Sequence, residues 1–122
     1  MRKHIATLAG LALALAFVVV FFSGRYESKP FNTVATRVGL KPDELLAMVP
    51  RISTQSGATI GTSRRVVYLM ACSGASTAAT LEANAILAAN IAEKQRVTPR
   101  EATRTVLGAI PAPAGLAALR EC

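Results

Sequence analysis

Cys72 and Cys122 are the residues of this chain best equipped for covalent chemistry, and they are its only cysteines. Their wide separation makes neither the C-x-x-C of a thioredoxin-like redox motif nor a zinc knuckle. In an oxidising compartment they are expected to form one disulfide. Closing a loop of roughly 50 residues contributes about 4 kcal/mol in the chain-entropy treatment, comparable with the net stability of a small domain. In a reducing compartment both would stay thiols. Arg64 and Arg65 are the only sequence neighbours of Cys72 able to favour a thiolate there.

The remaining chemistry is defined mostly by exclusion. His4, the single histidine, lies in the basic start Met1-Arg2-Lys3-His4. Cys–His and Ser–His–Asp catalysis and histidine-ligated metals are therefore not available to the rest of the chain. Asp43 is the only aspartate, which argues against two-metal and EF-hand sites. Asp43 and Glu44 are adjacent, so on a helix they point about 100° apart and suit a helix start better than an acid/base couple. Lys29, Lys41 and Lys94 leave a Ser–Lys pairing open by count alone, with no spacing in its favour. Gly57 and Gly61 lack the following G-K-[S/T] of a phosphate loop. No enzymatic activity, cofactor or metal is expected.

Charge offers one further possibility. The chain has 14 Lys/Arg against 7 Asp/Glu, a net charge of +7. Arg64, Arg65, Arg96, Arg100 and Arg104 are the candidates for anion binding. Basic residues spread along the chain give modest attraction to anionic lipid, nucleic acid or acidic partners, and the plainer reading is a solvated surface. Nucleic acid is not the expected partner. Residues 107–120 partly resemble a helix-hairpin-helix DNA-binding motif, through Ile110-Pro111 and Leu116/Leu119. That motif holds phosphate on the backbone N–H groups of a glycine-containing hairpin. Here the hairpin reads Ala112-Pro113-Ala114, and proline has no N–H. Two short helices joined by a proline turn account for the same residues.

The segment that would place all of this is residues 5–22, which carry no charge. As a helix they would span roughly 27 Å, close to the hydrocarbon thickness of a bilayer. Phe21 and Phe22 occupy the −3 position for cleavage after Ser23 or Gly24, where a small residue is wanted. The A-x-A triplets at 12–16 lie inside the apolar run. An uncleaved signal anchor over 1–24 is the favoured reading, and a cleaved signal the alternative. The immediate basic flank and the distal cysteines favour a cytoplasmic N-terminus and a periplasmic C-terminal domain. No cysteine follows the run directly. Leu69-Met70-Ala71-Cys72 and Ser63-Arg64-Arg65 match a lipobox and a twin-arginine start only by chance, since the apolar run they share is too short for export.

Residues 25–40 read as a juxtamembrane linker, with a short strand at 33–38 and Tyr26 at head-group level. A small domain over 41–122 follows. Pro42, Asp43 and Glu44 open a helix over 42–49 with Leu40 and Leu45 as a hydrophobic staple, and Pro50 stops it. The Ser/Thr/Gly stretch 53–63 reads as a loop, or as part of a short strand or hairpin around 57–71. The run 65–71 suits a strand or a helix equally. Residues 76–96 form an Ala-rich helix capped by Ser76 or Thr77, with Leu87 and Ile91 on one stripe and Leu81, Ala85, Ala88 and Ala92 on a smoother one. Thr98-Pro99-Arg100-Glu101 opens a helix over 99–109 with Ala102, Val106 and Ile110 on one face. Pro113 opens the last helix, with Leu116 and Leu119 inward.

The fold expected is mainly α, one N-terminal transmembrane helix followed by a small helical domain. The function that fits is a non-enzymatic interaction or assembly factor of the bacterial cell envelope, with the lipid bilayer and another envelope protein as partners. The alternatives are a membrane-active or lysis-related protein and a membrane-tethered polyanion binder.

Overall fold

The β-branched run 65–71 lies inside a helix. A computed structural model describes residues 31–110 and 113–122, and every regular element among them is helical. In chain order these are α1 (Phe31–Val34), a 3-10 turn (Ala35–Val38), α2 (Pro42–Ser56), α3 (Ile60–Ser73), α4 (Leu81–Gln95), α5 (Pro99–Ala109) and α6 (Pro113–Leu119). The expectation of a mainly α chain holds. The strand at 33–38 and the strand or hairpin around 57–71 are both replaced by helix. The apolar run 5–22 and its cleavage boundary lie outside the described residues. Among those described, no helix is long and apolar enough to cross a membrane.

Local chemistry explains most of the helix ends. Pro42 and Pro99 each occupy a first helical position, where the missing N–H costs nothing. Glu44 Oε1 accepts from the Lys41 N–H at 3.3 Å, and Thr98 Oγ1 accepts from the Glu101 N–H at 3.1 Å. Leu45 is fully buried beside a half-buried Leu40, as a staple requires. Pro50, expected to end α2, lies inside it. It removes one backbone bond, and its ring faces solvent, while Leu45, Met48, Val49 and Ile52 keep a buried stripe running past it. Burial of that stripe outweighs the proline penalty. The helix then continues to Ser56 and ends on Gly57 in the left-handed conformation, φ 77°.

The Ser/Thr/Gly stretch 53–63 is therefore two helix ends and the joint between them. Ser53 Oγ donates to the Ala58 carbonyl at 2.7 Å, and Thr59 Oγ1 accepts from the Thr62 N–H at 3.1 Å to start α3. Helix α4 begins at Leu81, later than the caps Ser76 and Thr77 suggest, with Thr80 at the N-cap position. Residues 77–80 form a turn, closed by Thr77 N–H donating to Thr80 Oγ1 at 3.1 Å. Ser76 is buried and accepts from Asn84 Nδ2 at 2.9 Å.

Helix α3 is the centre of the domain and packs against every other element. Val66, Val67, Leu69, Met70 and Ala71 are each fully buried. Such burial on several sides, rather than on one stripe, is why the run carries no clear period. Against α3 and its neighbours α4 presents the smooth stripe, with Leu81, Ala85, Ala88 and Ala89 fully buried and Ala92 nearly so. Leu87, on the other stripe, is 57% exposed. Residues 31–38, expected to be linker, bury Phe31, Val34, Ala35 and Val38 in the same core.

Gly115 marks the tightest approach. It is buried within α6, and a Cβ placed there would overlap the Ala75 Cβ just after α3. Gly115→Ala is expected to cost about 1–3 kcal/mol through overpacking, measured as a lowered urea midpoint. Adding Ala75→Gly removes the obstructing methyl and should return part of that loss.

Candidate functional site

The C-terminal end of α3 gathers the residues that give this domain its covalent character. Cys72 and Cys122 are joined by a disulfide with their Cα atoms 6.1 Å apart, so neither is a free thiol. Helix α6 carries Cys122 back to the end of α3, as its inward Leu119, 1% exposed, requires. Arg37 Nη1, from the 3-10 turn, donates to the Cys72 carbonyl at 2.7 Å. A cation on the last carbonyls of a helix also complements its dipole. One helix end thus receives the first described segment, the last residue and its own glycine cap, Gly74, φ 65°.

The candidate anion-binding arginines do not form one patch. Arg64 is half-buried and Arg65 exposed at the start of α3. The Arg65 guanidinium lies 5.4 Å from the centre of the Tyr68 ring, a cation–π contact. Arg96 ends α4 in the left-handed conformation, φ 52°, where glycine is the usual occupant. Arg100 Nη1 donates to the Leu119 carbonyl at 2.8 Å, fastening the end of α6 to the start of α5. Arg104 is exposed.

Two surface concavities stand out. One, of about 250 Å³, is lined by Arg104, Gly108, Leu116, Leu119 and Arg120. The other, of about 240 Å³, runs between α4 and α5 and includes Leu87, Ile91, Val106 and Ile110 with Asn84 and Thr105. Arg120 was not among the sequence candidates. The signal for it was the register of the last helix, since Leu116 and Leu119 inward place Arg120 beside the Arg104/Gly108 face of α5. The apolar groove was also half legible: Leu87/Ile91 and Val106/Ile110 each stand four apart, and both pairs read as core stripes.

Among the described residues, no group of three or more His, Cys, Asp or Glu side chains is placed to hold a metal ion. Asp43 and Glu44 are exposed at the start of α2. Glu82 pairs with Arg51 Nε at 2.6 Å on the surface, an interaction worth about 0–1 kcal/mol. The two helices expected over 99–109 and from Pro113 are present as α5 and α6, and the proline turn at 111–112 lies outside the described residues. Comparison with protein-family models, with curated proteins and with solved structures finds no match.

Two stability measurements follow from this geometry. The Cys72→Ser/Cys122→Ser double variant should lose about 2–5 kcal/mol against the oxidised protein, with α6 amides the first to exchange hydrogen. Arg96→Gly should gain about 1 kcal/mol by relieving a left-handed side-chain conformation, read as a higher urea midpoint.

Proposed function

We propose that this chain is a membrane-tethered, extracytoplasmic interaction or assembly factor of the cell envelope, with no catalysis of its own. The Cys72–Cys122 disulfide is the observation that carries the reading, because a bridge of this kind persists in an oxidising compartment. The uncharged run 5–22 behind a basic start supplies the route there and the tether. Only residues 23–30 separate that run from Phe31, and so few residues reach no further than about 29 Å. An anchored chain would accordingly keep the helical domain close to the bilayer, where its partners would be membrane or envelope components. The apolar groove around Leu87 supports recognition of another protein, since an exposed leucine over a groove is a contact surface in want of a cover.

Topology and oxidation state test the reading together. A membrane-impermeant alkylating reagent applied to intact cells after mild reduction should label Cys72 and Cys122, and without reduction it should label neither. A photo-crosslinking residue in place of Leu87 should then give one discrete adduct with an envelope protein. Free thiols reached only after the inner membrane is opened would overturn the location. Loss of membrane potential on expression would favour the membrane-active alternative.

A further inference from the structure

The concavity between α5 and α6 differs from the rest of the basic surface in its geometry. Arg104, on α5, and Arg120, in the turn just after α6, border the same space of about 250 Å³, floored by Gly108, Leu116 and Leu119. Both side chains are exposed, and among the described residues neither guanidinium has an ion-pair or hydrogen-bond partner. Glu101, three residues before Arg104, and Glu121, next to Arg120, do not line the space. Arg100, one turn before Arg104, is bound to the Leu119 carbonyl and so holds the two walls in register. Two cations without partners on one notch leave it open to a shared anion.

The donor chemistry selects the anion. Each guanidinium presents its N–H groups as a planar fork. One fork already occupies both oxygens of a carboxylate, whereas the oxygens of a phosphate can accept two forks at once. The glycine at 108 keeps the α5 wall low, and Leu116 offers an apolar shelf to whatever the phosphate is attached to. We propose that the Arg104/Arg120 notch is a phosphate-binding site, taking a phosphate ester whose neutral or apolar part lies over Leu116. This site is separate from the apolar groove around Leu87 and does not depend on the role proposed above.

The test uses the full oxidised chain in phosphatidylcholine nanodiscs, with the Arg Nε–H resonances followed by NMR. Inorganic phosphate and glycerol phosphate are titrated in one arm; in the other, part of the lipid is replaced by phosphatidic acid, a phosphate monoester. Selective movement of the Arg104 and Arg120 signals is expected. A response to the soluble phosphates identifies a free phosphate ligand, and a response only to phosphatidic acid identifies a lipid head group. Arg104→Gln and Arg120→Gln should each weaken binding about tenfold, the usual scale for one charge-assisted contact. Arg96→Gly should leave it unchanged. Unmoved Arg104 and Arg120 signals in both arms would overturn the site. So would equal weakening by Arg96→Gly, which would mean diffuse charge attraction.

Discussion

Burial of α3 from several sides sets the terms on which every other element can join the domain. A helix at the centre of so small a domain can be covered only by partners that approach closely, and close approach requires small residues at the points of contact. Ala85, Ala88, Ala89 and Ala92 on α4, and Gly115 on α6, meet that demand. Alanine and glycine remove little area from water, so the gain per contact is small. The domain compensates with geometry and covalency. Side chains from distant elements seal the helix ends, as when Asn90 Nδ2 donates to the Ser56 carbonyl at 3.1 Å, or Arg37 to that of Cys72. The disulfide then holds α6, which at seven residues is too short to be stable by itself.

Polar chemistry that looks functional by residue type is largely spent on this assembly. Arg37 and Arg100 satisfy carbonyls at the ends of α3 and α6, Arg51 links α2 to α4, and Arg65 lies over Tyr68. Asn84 and Asn90, polar residues within the Ala-rich α4, hydrogen-bond Ser76 Oγ and the Ser56 carbonyl rather than a ligand. Thr103 is the exception: its hydroxyl is buried on α5 and has no hydrogen-bond partner among the described residues. Taken together, these assignments leave Arg104 and Arg120 as cations that border a cavity and brace nothing.

How much of this was legible in the sequence depended on whether the signal was local. Pro42, Pro99 and the Thr98/Glu101 pair act within one turn, and the helices they open begin where those residues say. The smooth Ala stripe of α4 was legible for the same reason, since a helix face is defined by its own spacing. Pro50 misled because its effect is a balance: the local cost of a missing N–H is set against the burial of Leu45, Val49 and Ile52 by elements far along the chain. Val66–Val67 left strand and helix equally open because residues buried on several sides carry no period, and only packing against elements distant in sequence makes the run a central helix. Arg120 was missed because the register of the last helix gives its direction but not its neighbour: Arg104 lies on α5, and only the folded chain brings the two together.

The disulfide also governs how the domain would respond to being pulled. A load entering at Phe31 and leaving at Cys122 passes through residues 31–72 and then across the sulfur–sulfur bond, bypassing α4, α5 and α6. The tension-bearing path is roughly 150 Å when fully drawn out, against roughly 320 Å for the reduced chain. Both concavities are built largely from the bypassed helices. The bridge therefore keeps α4, α5 and α6 off the load-bearing path but leaves on it α3, the helix they all pack against, so force reaches both concavities only by unseating that central support.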